Sequence, residues 1–142
     1  MTKKKILVVD DVQETLLALK IRLEYAGYEV KSATDGEMGL KMAREINPNL
    51  IILDVMLPKI DGFSVCRLLK FDEEYEHIPI IMLTAKGQEK DRSTGQEVGA
   101  DLYLVKPYNA KELLEHVNRM TSDGYYSTRF NEMLHSDSNP PA

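Results

Sequence analysis

The chain has 142 residues, 43% of them hydrophobic and 29% charged, enough apolar material for one domain with its own core. Its formal net charge of −5 argues against nucleic acid as the main partner, because phosphate backbones are held by basic faces. The single cysteine, Cys66, excludes an intramolecular disulfide, a CxxC redox pair and a cysteine-rich zinc site, and fits a reducing compartment.

The first element is "ILVV" at 6–9, preceded by lysines and followed at once by Asp10 and Asp11. Four consecutive apolar residues are too few for a secretory signal, and the longest near-apolar run, "IPIIML" at 78–83, is far too short to cross a bilayer. The expected location is the cytoplasm, with no membrane insertion. Residues 13–25 read as a helix, with Leu16, Leu19 and Leu23 at helical spacing and Gly27 as its C-cap. "YEVKSA" (28–33) alternates like a strand. Asp35 reads as the N-cap of a helix over 36–46, which Pro48 follows. "LIIL" (50–53) is a second continuous apolar strand, with a helix over 62–71 after it, capped by Asp61. "DEEYEH" (72–77) reads as a solvated connection. "IPIIML" is the next strand, followed by a more polar helix over 87–97 that ends near Gly99. "LYLV" (102–105) and a helix over 110–120, with Asn109 as N-cap and Leu113, Leu114, Val117 and Met120 on one face, complete the pattern. Apolar runs of this length suit strands buried on both faces, and their alternation with helices predicts an α/β doubly wound domain with a parallel sheet. Its expected extent is 1–121. Residues 122–142 read as a tail, with "SDSNPPA" disordered and a short helix at 125–134 that either packs back, frays or docks.

In a parallel sheet every strand points the same way, so the residues that end the strands share one edge. Asp10 and Asp11 follow the first run, Asp54 follows "LIIL", Thr84 follows "IPIIML" and Lys106 follows "LYLV". Open α/β sheets bind ligands at that carboxyl edge. Clustered carboxylates with a single lysine carry excess negative charge, which a hard, oxygen-preferring cation relieves. With no His or Cys at the strand ends, Mg²⁺ or Mn²⁺ fits better than zinc. Carboxylates, a hard metal, one ammonium and one hydroxyl are the parts of a phosphoryl-transfer site, and a carboxylate can itself be the acceptor.

The order "VVDD", "LIILDVMLPKIDG", "IPIIMLTA", "GADLYLVKP" resembles the receiver domain of two-component response regulators, from about residue 4 to 121. The resemblance implies a flavodoxin-like five-stranded sheet in the order 2-1-3-4-5. It implies that Asp54 accepts the phosphoryl group, and that Asp10, Asp11, Asp54 and the backbone carbonyl of Met56 hold Mg²⁺. It implies that Lys106 and Thr84 bind the phosphoryl oxygens, that Thr84 and Tyr103 form the switch, and that the Lys106–Pro107 peptide is cis. Met56 and Lys86 resemble positions that tune loss of the phosphoryl group, while Pro58 and Gly62 read as turn formers. The implied donor is a histidine kinase or a histidine phosphotransfer protein. Output is expected through a protein partner that reads the face of 87–97, 102–105 and 110–120, with the domain a monomer or a phosphorylation-linked dimer. The domain is expected to act as a switch that modifies only itself, not as an enzyme with an external substrate.

Three other readings compete. A phosphatase acting through an aspartyl phosphate carries a second acid two places after the nucleophile, where this chain has Met56. A flavodoxin-like flavin binder needs a Ser/Thr/Gly loop after the first strand, where this chain has "DDVQET". A receiver kept only for binding would not need Asp10, Asp11, Asp54, Thr84 and Lys106 together. No DNA-binding or catalytic output domain fits within 122–142, so the chain reads as a stand-alone receiver or as a piece of a longer protein with a linker beginning there.

Overall fold

The computed structural model describes residues 3–85 and 99–125. Five strands, β1 (Lys5–Val9), β2 (Glu29–Ala33), β3 (Leu50–Asp54), β4 (Ile80–Thr84) and β5 (Leu102–Val105), alternate with helices α1 (Gln13–Tyr25), α2 (Gly36–Ile46), α3 (Gly62–Lys70) and α4 (Ala110–Met120). The sheet order is β2-β1-β3-β4-β5, and every neighbouring pair is parallel. This is the doubly wound architecture that the apolar runs predict. The expected helix over 87–97 and the tail helix beyond Tyr125 lie outside the described residues, as does Lys86.

The period of two along each strand splits the core into two layers. Leu7, Val9, Ile51, Leu53, Ile80 and Met82 face one side, where α2 and α3 contribute Leu40, Ala43, Val65, Cys66 and Leu69. Ile6, Val8, Leu50, Ile52, Ile81 and Leu83 face the other, covered by Leu16, Leu19 and Leu23 of α1 and Leu113, Val117 and Met120 of α4. Both faces of β3 and β4 are therefore buried, which is why those strands read as unbroken apolar runs.

The N-caps of α2, α3 and α4 are those the sequence marks. The carboxylates of Asp35 and Asp61 accept the N–H groups of Met38 and Ser64, at 2.8 and 2.9 Å, and the Asn109 side-chain oxygen accepts that of Glu112 at 3.1 Å. Each such cap is worth about 1 kcal/mol. Other boundaries move by a residue or two. The fourth strand starts at Ile80 rather than 78, because Pro79 has no N–H to give a ladder. Asp54 and Thr84 are the last residues of their strands, and the third helix closes at Lys70. Gly27, at φ +102, sits just past the C-cap Ala26, in the left-handed conformation that glycine adopts without strain.

At the far edge from the strand ends, the Tyr28 hydroxyl donates to Asn118 and the Lys4 ammonium donates to the carbonyl of Thr121, tying α4 to the start of β1 and β2. No helix among the described residues is long and apolar enough to cross a membrane.

Candidate functional site

Parallel register brings the ends of β1, β3, β4 and β5 to one edge. Asp10 follows β1 and is 1% exposed; its N–H donates to the Ala33 carbonyl at 3.1 Å, continuing the β1–β2 ladder. Asp11 follows it into solvent. Asp54 ends β3 and is 7% exposed. One carboxylate oxygen from each of these three residues lies within 4.8 Å of the others. Lys106, just after β5, reaches back across the sheet: its Nζ is 3.2 Å from Asp54 Oδ2 and 3.5 Å from Asp10 Oδ2. Thr84 is fully buried at the end of β4, and its carbonyl accepts the Lys106 N–H at 2.7 Å. The lysine backbone is thus fixed by the same residue that carries the hydroxyl. The Lys106–Pro107 peptide is cis.

Hydrogen bonds occupy only part of this acid cluster. Asp10 Oδ1 accepts the Val12 N–H at 2.9 Å, and Asp54 Oδ1 accepts the Met56 N–H at 3.3 Å. Asp10 Oδ2 is buried and finds no close hydrogen bond among the described residues; it is held only by the ion pair to Lys106 at 3.5 Å. Among the described residues, three carboxylates face one ammonium, which leaves about −2 when all are ionised. The titration of the groups reflects the crowding. Burial raises the Asp54 carboxyl above the usual aspartate range, against the opposing pull of Lys106, and the charge of Asp10 adds to the rise. Desolvation pulls the Lys106 ammonium down, but the charges of Asp54 and Asp10 outweigh it and leave it above the ordinary lysine value.

The donor set is all oxygen and contains an orphaned buried carboxylate oxygen, so the residues fit a small hard dication. Asp10, Asp11 and Asp54 could hold it.

Tyr103 lies in the middle of β5, opposite Met82, half-buried against the α2–α3 layer. It is therefore one layer behind the strand ends rather than among them. Gly62 is more than a turn former. A Cβ on it would lie 2.1 Å from the Asp54 carbonyl oxygen, so a side chain there would displace the backbone of the acid itself.

A second charged cluster escaped the sequence reading. Lys70 at the end of α3 and Asp101 before β5 form a buried ion pair at 2.7 Å, both side chains at 0% exposure. The Lys70 ammonium also donates to the carbonyls of Ile78 (2.6 Å) and Glu76 (3.2 Å), and Asp101 Oδ2 accepts the Ile80 N–H at 2.8 Å. The "DEEYEH" connection is thus anchored from below. Cys66 lies in the same interior, and burial pushes its thiol up to about 12.

A doubly wound parallel sheet with three acids and a lysine converging on its carboxyl edge is the architecture of an open α/β domain whose ligand edge lies there. The sequence matches the family model of the response regulator receiver domain over residues 6–118, and the chain belongs to that family. It is similar to the probable transcriptional regulator ycf27 of Cyanophora paradoxa, 53% identical over 111 residues that make up 78% of this chain and 45% of that protein. It is also similar to the alkaline phosphatase synthesis transcriptional regulatory protein PhoP of Bacillus subtilis, 42% identical over 134 residues, 94% of this chain and 55% of that protein. The chain spans about half the length of the curated relatives it matches. Among solved structures, it superposes on the chemotaxis response regulator CheY4 of Vibrio cholerae with a TM-score of 0.77 at 35% identity, covering 84% of this chain and 99% of that one. A response regulator from Chloroflexus aurantiacus gives 0.80 at 36% identity, covering 84% and 98%.

Proposed function

We propose that this receiver domain, residues 1–121, takes a phosphoryl group onto Asp54 from a phosphohistidine on a histidine kinase or histidine phosphotransfer protein, and that the modified domain is read by a protein partner in the cytoplasm. The observation that carries this reading is the reach of Lys106 to both Asp54 (3.2 Å) and Asp10 (3.5 Å), beside a buried Asp10 oxygen that accepts no hydrogen bond. Among the described residues, a structural ion pair would not leave two acids over.

In the proposed transfer an Asp54 oxygen attacks phosphorus. The P–O bond forms as the donor's P–N bond breaks, and the electron pair leaves with the imidazole. Lys106 turns from Asp54 to the incoming phosphoryl oxygens, and Thr84 donates its hydroxyl to another. Asp10, Asp11, Asp54 and the Met56 carbonyl would hold Mg²⁺, with Mn²⁺ as a substitute, and that ion would neutralise charge on the transferring group. Thr84 moving toward the acyl phosphate would leave room for Tyr103 to turn inward from the α2–α3 layer, altering the β5–α4 face. The domain would act as a monomer or as a phosphorylation-linked dimer. The chain's net charge of −5 supports a protein rather than a phosphate backbone as its partner.

The test is Mg²⁺-dependent labelling by acetyl phosphate. Asp54→Asn should abolish it while the protein stays folded by circular dichroism. Undiminished labelling of that variant sinks the assignment.

A further inference from the structure

The loop after Asp54, residues 55–61, carries Met56 and leads into α3. It is closed on itself by the Gly62 N–H donating to Val55 (2.9 Å) and the Ile60 N–H donating to Pro58 (2.8 Å). Its outer side rests on α2. The Gly36 N–H, in the first turn of that helix, donates to the Pro58 carbonyl at 3.1 Å. Lys59, at φ +69, holds its Nζ 3.8 Å from Asp35 Oδ2 and 3.9 Å from Glu37 Oε2.

The contact at Gly36 is closer than any side chain allows. A Cβ there would lie 1.7 Å from the Ile60 carbonyl oxygen and 2.6 Å from its carbon. These are backbone atoms, so no rotamer change relieves the overlap. At Gly39, one turn on, the atoms met are methyls of Val9 at 2.9 Å, which belong to a side chain. A residue larger than glycine at 36 must push the 55–61 loop away from α2, and that loop begins at the backbone of Asp54.

From this we infer that Gly36 is a positioning residue for the cation site, and that α2 seats the loop so that Asp54 and the Met56 carbonyl meet Asp10 and Asp11 at the separation a small dication needs. The inference rests on the Mg²⁺-dependent reading above. Gly36 touches none of the ligating atoms, so its effect passes through the loop.

Direct binding of Mn²⁺, read from the free-ion electron paramagnetic resonance signal and by Mg²⁺ competition, tests it without any turnover. Gly36→Ala should weaken Mn²⁺ by about tenfold or more, the scale on which losing an outer support loosens a metal. Val117→Ala, a core truncation in α4, should leave the affinity at the wild-type value although it lowers stability. Gly36→Ala that folds and binds as wild type overturns the inference, and so does an equal loss in Val117→Ala. Where Gly36→Ala does not fold, Lys59→Gly decides. It relieves a left-handed residue, cuts the tie to Asp35 and Glu37, and removes a positive charge. Charge alone predicts tighter binding, so weaker binding supports positioning, and equal or tighter binding overturns it. Wild-type protein that binds neither ion overturns both this inference and the functional reading beneath it.

Discussion

Two groups of charges sit at opposite ends of β4 and β5, and they are built on opposite terms. At the amino ends, the side chains of Lys70 and Asp101 are both fully buried, one charge against one, and both are further hydrogen-bonded, Lys70 to Ile78 and Glu76 and Asp101 to Ile80. At the carboxyl ends, among the described residues, three acids face one lysine, Asp11 is open to water, and Asp10 Oδ2 has only the ion pair to Lys106. The first arrangement is complete and can only be damaged. The second is unbalanced in charge among the described residues, and its excess has the sign and the oxygen ligands that a hard cation could neutralise. Imbalance, more than the presence of charge, marks the place where chemistry belongs.

Removing one partner from the balanced pair should have the largest effect on stability. Asp101→Leu leaves the Lys70 ammonium buried without its counter-ion and strips the Ile80 N–H of its acceptor. Breaking such a pair costs about 3–5 kcal/mol. Urea denaturation should show a loss of that order. Acetyl phosphate labelling per folded molecule should stay at the wild-type level. A loss below about 1 kcal/mol, the ordinary value of an exposed pair, would break the contrast between the two ends.

The unbalanced end should respond with the opposite sign. In chelator, Asp54→Asn removes one of three crowded negative charges and should leave the melting temperature unchanged or raise it, although a buried carboxylate is lost. Adding Mg²⁺ should stabilise the wild type, by about 2.7 kcal/mol at a concentration 100 times the dissociation constant. That gain should shrink in Asp54→Asn. A variant that melts lower in chelator and gains as much from Mg²⁺ as the wild type would mean that Asp54 is structural.

The carboxyl edge was legible in the sequence because parallel strands convert separated positions into neighbours. Once "ILVV", "LIIL", "IPIIML" and "LYLV" are strands of one direction, Asp10, Asp54, Thr84 and Lys106 share an edge, whatever the details of packing. The helix caps were legible for a local reason, since Asp35, Asp61 and Asn109 each bond an N–H three residues on. Lys70 was not legible. A lysine in the last turn of a helix ordinarily complements the helix dipole in solvent, and nothing nearby in the chain announces that Asp101 will meet it. Glycine posed a similar problem. Gly36 and Gly62 carry no positive φ, and what they need is space for the carbonyls of Ile60 and Asp54, one of them remote in sequence. Local patterns are written in the sequence directly; close approaches between distant segments emerge only with the fold.

Asp61 offers the finest test, because it is an acid of the same loop as Met56 but belongs to neither cluster. Both of its oxygens are used by Ser64, Oδ1 by the backbone N–H and Oδ2 by the hydroxyl, each at 2.9 Å. It resembles Asp101 in being satisfied and Asp54 in being near the site. If satisfaction decides, Asp61→Ala should cost only the cap, about 1 kcal/mol. Asp61→Ser should restore most of that loss, and neither change should alter Mn²⁺ affinity or labelling. If position decides instead, Asp61→Ala should weaken the ion through lost negative charge, and Asp61→Ser should weaken it equally, since serine restores the cap but not the charge. The pair of variants therefore separates a local helix-capping role from a contribution to the field at Asp54, within a single side chain.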